Sequence, residues 1–156
     1  MERGEVGRVD DSFEVFFTSQ MLPAVRLAFL LIGRSDLAEE IAQEAFASVY
    51  RRWEEIEQPK AYLRVAVVNL CRSHQRRAIL ERRARRSFAP PLLSEEPDRS
   101  IWEDVRRLRA RDREVIVLRF YEDLTLEQIA DALELPLNTV KTRLRRALER
   151  LRRSIS

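Results

Sequence analysis

Asn138, Thr142, Arg145 and Arg146 share one face of a helix if the chain turns by about 100° per residue. Thr139, Lys141 and Arg143 flank that face. These side chains match the hydrogen-bonding groups of a nucleic acid. Arg can pair bidentately with guanine and Asn with adenine, while Thr and Lys can hold phosphates. From Asn138 to Arg153 seven Lys or Arg stand against a single acid, Glu149. A solvated helix face is the plain alternative, but such a face more often mixes signs.

A second basic cluster lies upstream. Arg72, Arg76, Arg77, Arg82, Arg83, Arg85 and Arg86 place seven arginines within fifteen residues, interrupted by Glu81. Asn69, Arg72 and Arg76 fall on one helical face. Cations favour a helix C-terminus, yet this number exceeds what a helix end needs, so nucleic-acid contact is again the sharper reading. A third set is acidic: Asp36, Glu39, Glu40, Gln43 and Glu44, followed by Arg51 and Arg52. From spacing alone, helix stability and solubility account for these acids. A docking face for a basic partner is the alternative.

Elements must position these sets. Thr125 followed by Gln128 fits a capping box, which predicts a helix from Leu126 with Ile129, Ala130 and Leu133 inward. Pro136 closes the short segment after it. A second helix begins within 136–138, with the apolar stripe Val140, Leu144, Ala147, Leu148 and Leu151 at a period of about 3.6. Together they read as a helix-turn-helix. Upstream, residues 1–11 read as loose. A helix is expected over 12–31, with Pro23 kinking or splitting it and Gly33 ending it. Ser35 or Asp36 would cap a helix to about Trp53, with Leu37, Ile41, Ala45, Val49 and Trp53 apolar. A polar connection, 54–59, leads to a third helix from Pro59 to about Arg85, bearing Leu63, Ala66, Val67 and Leu70. Pro90, Pro91 and Pro97 mark 87–100 as a linker. Beyond it, Ile101, Val105 and Leu108 mark a helix, and Asp112 would cap the next. No run alternates as a half-buried strand does. The expected fold is all-α: two small helical domains, 12–86 and 101–153, joined by a flexible linker.

Composition bounds the function. The chain has 156 residues, 45% hydrophobic and 35% charged, with a net charge of only +3 that hides the segregation above. No unbroken run of about 18 apolar residues occurs, so no membrane insertion is expected. The N-terminus lacks the apolar core of a signal peptide. One cysteine, Cys71, and one histidine, His74, do not make a zinc site. With three glycines there is no phosphate-binding loop, and no nucleophile–base pair stands out. A cytoplasmic, non-enzymatic protein without metal or other cofactor is expected.

With these residues in place, the sequence resembles a bacterial RNA polymerase sigma factor of the extracytoplasmic-function class, in its actinobacterial SigE-like group. DLAEEIAQEAFASVYRRW resembles the sigma-2 segment that docks on the polymerase clamp. AYLRVAVVNLCRSHQRR resembles the helix that reads the −10 promoter element. REVIVLRFYEDLTLEQIADALELPLNTVKTRLRRALERLR resembles sigma-4, which reads the −35 element. The resemblance implies polymerase docking by Asp36, Glu39, Glu40, Gln43, Glu44 and Arg51. It implies −10 reading by Asn69, Arg72, His74, Arg76 and Arg77, with 54–60 helping to capture a flipped base. It implies −35 reading by Asn138, Thr139, Lys141, Thr142, Arg143, Arg145 and Arg146. The implied partners are core RNA polymerase (the clamp of its beta-prime subunit and the beta flap), promoter DNA, and an anti-sigma protein covering the same surfaces. Glu134 stands where many members have glycine in the turn, which predicts a turn conformation that tolerates a side chain or a slightly different turn; Asn138 replaces another frequent glycine, near the start of the recognition helix. The alternative is a free-standing helix-turn-helix regulator, dimeric on duplex DNA, with 12–86 used for dimerisation or sensing.

Overall fold

The computed structural model describes the backbone of residues 2–84 and 101–155, and the side chains of 11–81 and 101–154. Seven α-helices follow one another among the described residues: α1 (Glu2–Ile32), α2 (Ser35–Arg51), α3 (Pro59–Ala84), α4 (Ile101–Arg106), α5 (Ala110–Ile116), α6 (Leu126–Leu133) and α7 (Leu137–Ile155). A π-helical turn, Val117–Tyr121, extends α5. No strand occurs among the described residues, so the all-α expectation holds. The expected linker, 87–100, lies outside them. The chain forms two compact units, Met1–Cys71 and Arg72–Ser156.

In the first unit α1 packs on α2. Ala24, Leu27, Ala28 and Leu31 of α1 and Ala38, Ile41, Ala42, Ala45, Phe46 and Val49 of α2 are buried. The three buried alanines of α2 let the two backbones approach closely. Leu63, Val67, Val68 and Cys71 of α3 complete this core, so Cys71 behaves as the small hydrophobe expected. Each fully buried large aliphatic side chain contributes about 1.5–3 kcal/mol. At one end, Phe13, Phe16, Phe46, Tyr50 and Trp53 cluster. Phe13 meets Tyr50 edge-on with ring centroids 4.9 Å apart, and Trp53 likewise at 5.3 Å. Ser48 and Tyr62 share a 3.1 Å hydrogen bond that ties α2 to α3.

Three local expectations are corrected in this unit. The backbone of 2–10 is helical, not loose, and Pro23 lies within α1 without splitting it in two. The proline removes the bond to the carbonyl of Ser19, an exposed residue where water can replace it. The residue before α2 is Arg34, in extended conformation, without a side-chain cap; Asp36 lies in the first turn and accepts from Arg34 at 2.8 Å. Gly33 ends α1 as expected, with φ 75° and its N–H donating to Phe29 O. The Asp11–Ile32 part of α1 is long and apolar enough to cross a membrane by length and composition. Here its apolar side forms the core with α2.

In the second unit α7 packs on α5 and α6. Val115, Ile116, Val117, Leu118, Ile129, Leu133, Val140 and Ala147 fill its core. The capping box is present: Thr125 Oγ1 accepts from Gln128 N at 3.1 Å, and Gln128 Oε1 from Thr125 N at 2.9 Å. Helix α6 ends at Glu134, left-handed at φ 54° and ψ 49°. Leu135 N donates to Ala130 O and Glu134 N to Asp131 O, the two bonds of a Schellman ending. The backbone thus takes the conformation glycine would take, with a side chain on it. Glu134→Gly is therefore expected to stabilise the second unit by about 1 kcal/mol, because a Cβ strains the left-handed region. Urea unfolding checks this; an unmoved or lowered midpoint contradicts it. Pro136 O accepts from Thr139 N and Val140 N, which starts α7.

Candidate nucleic-acid and polymerase interfaces

Helix α7 is held from behind by its stripe: Val140 and Ala147 are fully buried and Leu151 nearly so. That fixes which side chains face outward. Asn138, Lys141, Thr142, Arg145 and Arg146 are exposed, while Thr139 and Arg143 are half-buried. Thr142 Oγ1 donates to Asn138 O at 2.9 Å, one turn back. The side chains of Asn138, Lys141, Arg143 and Arg145 make no hydrogen bond or ion pair among the described residues. Their donors are available to a ligand.

Arg146 differs. It shares the outer side as read from the helical period, but its guanidinium turns back to Asp112 of α5. Nη2 donates to Oδ1 at 3.0 Å and Nε to Oδ2 at 3.3 Å. Asp112 is 1% exposed. The hydrogen bond and the charge of Asp112 hold Arg146 above its usual pKa. The cap expected of Asp112 is not made: Arg109 precedes α5 without a side-chain bond, and Asp112 lies within the first turn. Its carboxylate is spent on Arg146.

Helix α3 presents Asn69, Arg76 and Arg77 as exposed residues, with His74 half-buried. Arg72, at the start of the second unit, donates from Nε and Nη2 to Glu114 at 2.8 and 2.9 Å. Glu114 is 5% exposed. The Glu114 hydrogen bond, opposed by burial, raises the pKa of Arg72. Glu114 carries no signal in the sequence, since it closes the charged run Arg111–Glu114 and reads there as one more surface residue. The arginines expected at 82, 83, 85 and 86 lie outside the described side chains.

Helix α2 presents Asp36, Glu39, Glu40, Gln43, Glu44 and Arg51, all exposed. The steps of three and four residues align them along one side. Arg34 holds the Asp36 carboxyl below its ordinary range, chiefly by their hydrogen bond. Glu44 and Arg51 also line a groove of about 330 Å³ with Ser48, Tyr62, Val65, Ala66, Asn69 and Leu70. Two sets read separately from the sequence, the acidic face of α2 and the Asn69 face of α3, meet in this groove. It offers a carboxylate, a guanidinium and an amide above an apolar floor, which suits a planar polar group.

Comparison with known proteins follows the same division. Residues 17–79 match the family model for sigma-70 region 2, and residues 105–153 that for sigma-70 region 4. The RNA polymerase sigma-E factor of Streptomyces coelicolor is 32% identical, over 92% of this chain and 85% of its own length. The sigma factor SigV of Bacillus subtilis is 30% identical, over 81% of each chain. Among solved structures, the sigma factor RpoE of Bartonella quintana, in complex with the anti-sigma factor NepR, superposes with a TM-score of 0.75. It is 20% identical and covers 91% of this chain and 95% of its own. CnrH, in complex with the cytosolic domain of CnrY, gives 0.68 at 18% identity, over 94% of this chain and 88% of its own. At those identities the superpositions speak for the fold. Two region models in this order leave the free-standing regulator without support. The chain belongs to the sigma-70 family, as an RNA polymerase sigma factor of the extracytoplasmic-function class.

Proposed function

We propose that the three outward faces divide the work of a promoter-specificity subunit. The exposed side of α2 docks on core polymerase. The Asn69, Arg76 and Arg77 side of α3 reads the −10 element, with His74 beside it and Arg72 joining once released from Glu114. The connection over 54–60 and the adjoining groove receive a base unstacked from the melting duplex, since its edges are fully legible only outside the stack. Asn138, Lys141, Thr142 and Arg145 of α7 read the −35 element, with Thr139 and Arg143 supporting. The functional domains are 12–86 and 101–153, with 87–100 connecting them. The protein acts in the cytoplasm, does no covalent chemistry, and is restrained by an anti-sigma protein over the same faces. The similar RpoE was solved with the anti-sigma factor NepR, and CnrH with the cytosolic domain of CnrY.

The single observation behind this reading is the outer face of α7. Its Asn138, Lys141 and Arg145 are exposed, with side chains that lack partners among the described residues, on a helix buried from behind by Val140 and Ala147. Unpartnered cations beside an amide, on a rigid helix after a capped one, are what groove reading requires. Docking on the polymerase makes the second promoter contact intramolecular, so two weak contacts act as one strong one.

Transcription in vitro with purified actinobacterial core polymerase, with and without the protein, on a pool of genomic promoters tests this. Start sites dependent on the protein, sharing two spaced upstream elements, are expected. Binding to core without any new start site contradicts the promoter-reading assignment. Failure to bind core contradicts the docking assignment.

A further inference from the structure

We propose that Asp112 is a positioning residue for the recognition helix. Its buried carboxylate clamps Arg146, and through Arg146 sets the angle at which α7 presents its reading face. Arg146 is then a strut and not a DNA contact. The inference rests on the reading of α7 as the −35 helix.

Three observations support it. Asp112 is 1% exposed, yet both its oxygens accept from Arg146, so the pair is geometrically constrained as a single hydrogen bond is not. The two residues join α5 to α7, the helices that pack together in this unit. Arg145, next in line, is exposed and unpaired among the described residues. Adjacent arginines of like chemistry thus have opposite environments.

Leverage explains why the clamp matters. Arg146 lies eight positions after Asn138, about 12 Å along a helix. A tilt of about 10° at the clamp would move Asn138 by about 2 Å. Productive contacts need placement within about 0.5 Å. For Arg146 to reach a phosphate instead, it would leave a buried carboxylate unpaired, which costs more than one phosphate contact returns.

The test uses the assembled holoenzyme on promoter duplexes, with affinity measured against salt and against single-base changes in the −35 element. The variant Asp112→Leu with Arg146→Met removes both charges while keeping apolar volume, an exchange that proteins often tolerate. Arg146→Lys keeps the charge but loses the two-toothed geometry, and it decides the matter if the double variant melts early. Both variants are expected to leave the log–log salt slope unchanged and to cut discrimination between correct and altered −35 elements about tenfold. Arg145→Ala provides the contrast. A slope shallower by about 0.9 in the double variant would mean that Arg146 touches a phosphate, and the proposal fails. Full discrimination in both variants would mean that the pair only holds the fold, and it fails again. If the unmodified holoenzyme ignores the −35 sequence, the reading of α7 itself falls.

Discussion

Glu39→Arg combined with Glu40→Arg is expected to weaken binding to core polymerase by about 100-fold and to abolish transcription. The reason is sign. Both residues are exposed on α2, beside Asp36, Gln43 and Glu44. If that side meets a basic surface, reversal places like charges against each other. Such juxtaposition costs several kcal/mol, and about 3 kcal/mol is roughly 100-fold in affinity. The competing explanation, that these acids serve the helix, predicts a different outcome. Glu39 and Glu40 follow the first turn of α2, where the dipole has faded. Exposed substitutions there change stability by about 0.5 kcal/mol at most. Melting should therefore stay near that of the unmodified chain while core binding, followed by fluorescence anisotropy, is lost. Unchanged core affinity would remove α2 from the docking surface. A large fall in melting temperature with core affinity retained would restore the stability explanation.

The contrast between α2 and α7 shows what the sequence could disclose. Thr125, Gln128 and Pro136 each have one physical use in context, so the helix-turn-helix was legible to within a residue. The stripe of α7 was legible because burial has a period. Arg146 was not, because the period gives an angle around the helix and says nothing of what stands opposite. Its partner was misread for the same reason: an acid near a helix start reads as a cap, and only the packed structure shows Asp112 buried. Glu114 and the π-helical turn at Val117–Tyr121 were missed outright. Charged residues are seldom buried unless paired, and the pairing partner of Glu114 is Arg72, 42 positions away. The extra residue of a π turn shifts the apolar pattern by one position inside a run that is apolar but for Arg119. Glu134 lay between these cases: the turn was legible, but not that a glutamate would hold glycine's backbone angles. The groove containing Glu44, Arg51 and Asn69 needed two helices to be brought together before it existed.

Arg145→Ala is the complementary expectation for DNA, and its value lies in the neighbour it is compared with. Arg145 is exposed, has no partner among the described residues, and lies four positions after Lys141 and seven after Asn138 on the outer side of α7. Truncating it removes no packing, so thermal unfolding should be unchanged. Promoter binding should weaken about 10- to 100-fold, the range for a two-toothed contact worth about 1–3 kcal/mol. Base readout and phosphate contact leave different traces. If Arg145 reads a base, the loss falls on promoters carrying the preferred base at one −35 position, and preference there disappears. If it holds a phosphate, all promoters weaken together and the salt slope becomes shallower by about 0.9. Undiminished promoter binding would take Arg145 out of the interface. Arg146→Ala should behave in the opposite way, because it strands the buried Asp112 carboxylate and lowers the melting temperature before any DNA is added. On this expectation two adjacent arginines divide between reading and holding. What decides between them is whether a carboxylate of the same chain already occupies the guanidinium.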